Sequence, residues 1–229
     1  MFLIFTLCFI VNFLNQTLID GSYYCDYDIE APVLNVYPLK KCLQKSEYIN
    51  ISNGTVKVKL KGSSQGSERV IKVFELQESS NERSLSYIVT FKKGFDFAKG
   101  GKLNGFSSIN TISGGMARTP DKGWSARVIF GEGGKLGLYY YLPTDRQKYG
   151  NFRFIDNFNL TTNIKYKINL SVKINDKGSR NGQICMSAEG IEGFCVDDIE
   201  FCRIDCSKSS IKKFLFSVFH GGNDPSFAP

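Results

Sequence analysis

Trp124-Ser-Ala-Arg-Val-Ile-Phe130, Gly131-Glu-Gly-Gly134 and Lys135-Leu-Gly-Leu-Tyr-Tyr-Tyr-Leu142 follow one another without a break, and the fold is read outward from them. The first run alternates its side chains with the period of a half-buried strand, and the glycine-rich turn joins it to the second as a hairpin. Ser125 and Arg127 then share one face, while Trp124, Ala126 and Val128 share the other. On the second run Tyr139 and Tyr141 lie opposite Leu138, Tyr140 and Leu142. A register centred on the turn pairs Arg127 with Tyr139 and Ser125 with Tyr141, so one face carries a serine, an arginine and two tyrosines. A slip of one residue would send one strand's set to the other face. Taken alone, the tyrosines would read as ordinary strand aromatics.

The rest of the chain keeps the same period. Thr55 to Leu60, Val70 to Leu76, Leu85 to Phe91, Tyr166 to Ile174, Gln183 to Ala188 and Lys213 to Phe219 are further strand candidates. Turn signals at Gly62-Ser-Ser-Gln-Gly66, Asn175-Asp-Lys-Gly178 and Asn181-Gly182 separate them. No helix longer than two turns is expected. The class is all-β, a jelly-roll-like β-sandwich whose concave sheet would form a groove for an extended polymer. A length of 229 residues suits one such domain. Residues 1–20 read as a signal peptide, 21–60 as a cysteine-containing lead-in with a first strand, and 61–229 as the sandwich.

Phe2 to Leu14 is almost wholly apolar, too short to span a membrane comfortably and suited to a signal core. A buried first strand is the alternative. The export reading places the protein outside the cell, with no stable membrane insertion after signal removal. Beyond Cys8 there are six cysteines, an even set that reads as disulfides in an exported chain. Sequence does not fix which of 15 pairings forms; the Glu189-Gly190 turn between Cys185 and Cys195 suggests that pair, with Cys25–Cys42 and Cys202–Cys206 as one way to complete the set. Sequons stand at Asn50, Asn53, Asn159 and Asn169. The single histidine excludes a multi-histidine zinc site, and the absence of a C-x-x-C weakens a cysteine-based one. The formal charge of +7 favours an acidic partner. No run of five basic residues occurs, which argues against nucleic acid. Oligomeric state is left open.

Lys102 stands in the glycine-rich segment Lys99-Gly-Gly-Lys-Leu-Asn-Gly105, which is no Walker loop. If it meets Arg127, like charge lowers its pKa and fits it to move a proton. These groups suit β-elimination from a uronate polymer. The acidic C5 proton needs a base, the neighbouring carboxylate needs a cation such as Arg127, and the departing O4 needs an acid. No water, metal or cofactor enters that reaction.

Four segments in order carry a resemblance: GFDFAKGGKLNG (Gly94 to Gly105), GWSAR (Gly123 to Arg127), LYYYLPT (Leu138 to Thr144) and FSVFHGGNDPSFAP (Phe216 to Pro229). From about Tyr87 to Pro229 the chain resembles polysaccharide lyase family 14, which holds alginate and glucuronan lyases. The resemblance implies a lyase acting on an acidic polysaccharide, with Lys102, Ser125, Arg127, Tyr139 and Tyr141 as the catalytic set. Arg127 would neutralise the carboxylate, Tyr139 and Lys102 would transfer protons, and Ser125 and Tyr141 would orient. Base and acid stay unassigned. Lys99, Asn104 and His220 are candidate substrate-binding residues. Asn104 departs from a common proline and Phe227 from a common tryptophan, and the sequence stops at Pro229 where the family usually continues into a further strand, so either the sequence is truncated or one sheet loses an element. A binding module for acidic glycans, without chemistry, is the alternative function.

Overall fold

The computed structural model describes residues 5–12, 18–19, 46–52, 55–114, 116, 123–145 and 147–229. The strands begin with β1 (Phe5–Asn12), β2 (Leu18–Ile19), β3 (Ile49–Ser52), β4 (Thr55–Leu60), β5 (Gly62–Ser63) and β6 (Gly66–Ser67). They continue with β7 (Val70–Ser80), β8 (Glu82–Phe91), β9 (Gly100–Ser107), β10 (Ser125–Gly131) and β11 (Lys135–Tyr141). The last are β12 (Asn151–Asn159), β13 (Lys165–Lys173), β14 (Gly182–Ala188), β15 (Ile191–Ile199) and β16 (Ile211–His220). The helical elements among the described residues are two short 3-10 turns, Glu132–Gly134 and Pro225–Phe227.

Two seven-stranded sheets, ordered β15-β14-β13-β8-β1-β4-β3 and β12-β11-β10-β9-β16-β7-β2, make an all-β sandwich. Alternation explains the layering. Leu85, Tyr87, Val89 and Phe91 on β8 face inward, as do Ile168, Leu170 and Val172 on β13. Ala126, Val128 and Phe130 on β10 and Phe214, Phe216 and Val218 on β16 meet them from the second sheet. Phe91 and Phe130 touch edge to face across the layers, ring centroids 5.7 Å apart. Each buried Val, Leu, Ile or Phe among them stabilises the fold by roughly 1.5–3 kcal/mol.

The apolar N-terminal stretch, read as a signal core or as a first strand, contributes β1, which pairs with β4 and β8. Cys185 and Cys195 face each other across the β14–β15 hairpin and are bonded, as are Cys202 and Cys206. The expected Cys25–Cys42 pair lies outside the described residues.

The glycine-rich stretch holding Lys102 forms strand β9, between β10 and β16. A Cβ on Gly101 would collide with the Phe219 carbonyl oxygen and the Phe130 ring, and one on Gly105 with the Ala126 carbonyl oxygen. The glycines are there for close strand approach, not for a turn. β12 was not anticipated as a strand, and β15 only as the far arm of the Glu189-Gly190 turn. Their sequences mix charged and apolar residues, since each lies at a sheet edge.

Candidate active site

The hairpin register is the one that alternation predicts: Arg127 faces Tyr139 and Ser125 faces Tyr141. β9 lies on the other side of β10, where Gly105 opposes Arg127 and Lys102 opposes Ile129. Two residues of β9, Leu103 and Asn104, therefore stand against Val128 alone, a bulge that turns Lys102 onto the face carrying Arg127. The Lys102 ammonium lies 3.6 Å from the centre of the Tyr139 ring. Lys102, Ser125, Arg127, Tyr139 and Tyr141, scattered over three strands, thus form one cluster on the outer face of the second sheet.

Their electrostatics follow from that packing. Burial pushes the Lys102 ammonium down to about 7, and the charges of Arg127 and then Arg69 push the same way. A lysine at that value exchanges its proton near neutrality, which an exposed one does not. Arg127 is itself buried, which lowers it to about 10, so it stays cationic at neutral pH. Its Nη1 donates to Ser125 Oγ at 3.1 Å and its Nε to Ser217 Oγ at 3.4 Å. Ser125 Oγ in turn donates to the Ile112 carbonyl at 2.5 Å. Ser125 and Ser217 therefore aim the guanidinium without neutralising it, leaving its charge for an anion.

The two tyrosines share a contact, with 3.2 Å between their hydroxyl oxygens. Tyr139 Oη also accepts the backbone N–H of Gly150 at 2.9 Å. A fixed donor at the phenolic oxygen is the arrangement that holds a phenolate once the proton has left.

The other candidates are placed differently. His220 sits on the inward face of β16, fully buried, stacked on Phe95 and edge-on to Phe130. Its Nε2 donates to the Asp96 carbonyl at 2.8 Å, and burial lowers its pKa, so it is a neutral core histidine. Asn104 is fully buried in the β9 bulge, where its Oδ1 accepts from Ser217 N at 3.3 Å. It supplies an acceptor to an amide that the interrupted ladder leaves over, which accounts for a residue other than proline there. Lys99 reaches Ser226 Oγ at 2.7 Å and lies over Phe227, away from the cluster.

Four contributors escaped the sequence reading: Arg69, Ser217, Gly150 and Phe152. Arg69 stands 5.0 Å over Phe219, the register partner of Lys102. Ser217 shares the outer face of β16 with Leu215 and Phe219, opposite Phe214, Phe216, Val218 and His220, so strand parity could have found it. Phe152 pairs with Tyr139 from β12 and is 62% exposed, an open aromatic beside the cluster. By contrast, a cavity of about 510 Å³ on the first sheet, lined by residues such as Ser84, Ser86, Asn169, Ser187 and Phe194, holds no ionisable side chain.

Similar structures are known. A variant of alginate lyase Aly36B bound to an alginate tetrasaccharide is 20% identical, with a TM-score of 0.71 over 94% of this chain and 91% of that one. The alginate lyase from Aplysia kurodai is 21% identical, with a TM-score of 0.61 over 94% and 93%. The alginate lyase vAL-1 from Chlorella virus is 20% identical, with a TM-score of 0.60 over 79% and 82%. At these identities the likeness shows a common fold. No curated protein matches the chain. The model of the family Polysaccharide lyase 14 matches residues 43–229, most of the sequence. This chain is a polysaccharide lyase and belongs to polysaccharide lyase family 14.

Proposed function

We propose that this protein cleaves an acidic, uronate-containing polysaccharide such as alginate or glucuronan by metal-independent β-elimination. The observation that carries the reading is the Lys102 ammonium 3.6 Å over the Tyr139 ring, on the same outer sheet face as the buried Arg127 guanidinium; burial and then that guanidinium's charge lower the lysine towards neutrality. Alginate is what the lyases of similar structure act on by name.

In this mechanism Arg127 binds the uronate carboxylate and stabilises the charge that builds up when C5 loses its proton. Neutral Lys102 takes that proton. The electrons of the C5–H bond form the C4=C5 double bond and the C4–O4 bond breaks. Tyr139 gives its proton to the leaving O4, and its phenolate is held by Gly150 N–H and Tyr141 Oη. Exchange with solvent then takes the proton from the Lys102 ammonium and returns one to the Tyr139 phenolate, which resets the pair. Ser125 and Ser217 act by aiming Arg127.

Ultraviolet absorbance of the purified chain with alginate, glucuronan and a sulfated uronate polymer tests this, with and without chelator. Growth of the unsaturated-uronate signal, unaffected by chelator, is expected on at least one polymer. Binding without any signal would leave an acidic-glycan-binding module instead. Tyr139→Phe is expected to lower kcat by roughly 100- to 10,000-fold, the range of general acid catalysis. Tyr141→Phe, which loses only a neighbour of the phenolic oxygen, should fall less. Equal losses in the two would reassign the acid.

The same proposal places the protein outside the cell, after passage through an export pathway. The two disulfides fit an oxidising compartment, and Asn50 and Asn159 of the sequons are exposed. Under this reading the apolar leader is removed and β1 belongs only to the uncleaved chain. The intact mass of protein recovered from medium checks it: a species beginning after about residue 20 is expected. Secreted protein that retains Met1 would overturn cleavage.

A further inference from the structure

We propose that Tyr149 and Asn223 form a bridge over the active-site face, enclosing a bound polymer and slowing its release. The inference rests on the lyase reading for the identity of the polymer, an anionic uronate chain. Its geometry is independent of that reading.

Asn223 Nδ2 donates to Tyr149 Oη at 3.1 Å. The two residues belong to opposite sides of the second sheet. Tyr149 lies in the connection from β11 to β12, and Asn223 follows β16. Between β11 and β16 stand β10 and β9, the strands that carry Arg127 and Lys102. At about 4.8 Å per strand, the roots of the two segments are roughly 14 Å apart in the sheet. They also start from opposite ends of it. Tyr141, which ends β11, is matched through Ser125 and Ser107 to Lys213 near the start of β16, whereas Asn223 comes after its last residue, His220. A hydrogen bond between them has to cross the face diagonally.

The first segment is held on the catalytic side of the sheet. Gly150 N donates to Tyr139 Oη, and a Cβ on Gly150 would stand 2.6 Å from the Tyr139 ring, so no larger residue fits there unmoved. Asp145 Oδ2 accepts from both Leu142 N at 2.8 Å and Asn151 Nδ2 at 3.0 Å, tying the two ends of the connection together. On the other side the Gly222 carbonyl accepts from Arg69 Nη2 at 3.1 Å, and Asp224 caps the Pro225–Phe227 turn through Ser226 N at 2.9 Å. Each bridge residue is thus seated beside a group of the site, Tyr149 by Tyr139 and Asn223 by Arg69. The link itself is one exposed, neutral hydrogen bond, cheap to open when a chain enters and cheap to close afterwards.

Two readouts test the bridge with Tyr149→Phe, Asn223→Ala and the double variant, none of which removes a proposed catalytic group. Amide exchange of the ligand-free protein tests the link alone. Either single variant should speed exchange at both the 147–150 and the 221–224 segments, and unchanged exchange overturns the bridge. Dissociation of a fluorescent alginate oligosaccharide, measured in a Lys102→Ala background that cannot cleave it, tests the function. The rate should rise about three- to tenfold in each single variant and no further in the double, because both remove one bond. An unchanged rate, or additive effects, overturns enclosure. If exchange responds as expected but the wild-type chain neither binds nor cleaves a uronate polymer, the bridge stands and the substrate class falls.

Discussion

Lys102→Met is expected to lose turnover and gain stability together. As the base, the amine contributes roughly 100- to 10,000-fold to the rate, and methionine offers nothing in its place. The stability gain comes from the same cause as the reactivity. Burial and the charges of Arg127 and Arg69 lower the folded-state pKa from 10.5 to about 7, so the native fold bears an unfavourable cation at pH 6. The sign follows from proton counting. Below about 7 both folded and unfolded chains hold the proton, and the full cost of the buried charge is present. Between about 7 and 10.5 the unfolded chain holds a proton that the folded chain has released, so wild-type stability from this group rises with pH. The advantage of Lys102→Met is therefore largest at pH 6 and shrinks towards pH 9. It is set at roughly 1–3 kcal/mol, after the lost contact with the Tyr139 ring is discounted. Urea unfolding at the two pH values, alongside kcat, measures both effects. A variant that is inactive but less stable at pH 6 would mean Lys102 is an anchor of the fold, not a strained base.

Arg127→Lys is expected to be nearly as damaging as Arg127→Ala, each lowering kcat/KM by roughly 100- to 1,000-fold. A lysine keeps the charge but lacks the planar fork that Ser125 and Ser217 aim and that a carboxylate accepts in two places. The pH dependence separates the two variants. With Lys102 as base, the wild-type rate rises with pH through about 7. In Arg127→Ala one of the two neighbouring cations is gone, so this limb moves to higher pH. The movement is partial, because burial is the larger cause and remains. In Arg127→Lys the limb stays nearer its original place. A wild-type rate that falls through pH 7 would assign Lys102 the cationic role, with a tyrosinate as base.

The hairpin was legible because its side chains alternate without interruption and its turn is rich in glycine. Ser125, Arg127, Tyr139 and Tyr141 could be put on one face from spacing alone. The strand that carries Lys102 was harder to read than the hairpin. Three glycines in eight residues look like a loop until neighbouring backbones are present to explain them. His220 and Asn104 show the opposite difficulty. A histidine before two glycines suggests an open site, yet strand parity sends it inward with Phe214, Phe216 and Val218. A bulge, which no periodicity announces, puts Asn104 under the sheet.

By itself the sequence determined the class of fold and the family, and it suggested the hairpin register and the Cys185–Cys195 pair that the structure then showed. All of these rest on local rules: period, turn chemistry, cysteine spacing and ordered motifs. Only the tertiary structure decided that Lys102 stacks on Tyr139, that Arg69 and Arg127 share in lowering its pKa, and that Tyr149 meets Asn223 across the face. Those contacts join residues far apart in the chain, through strand order and one bulge. A pKa depends on distance and burial, and neither is written in the spacing of residues along a sequence.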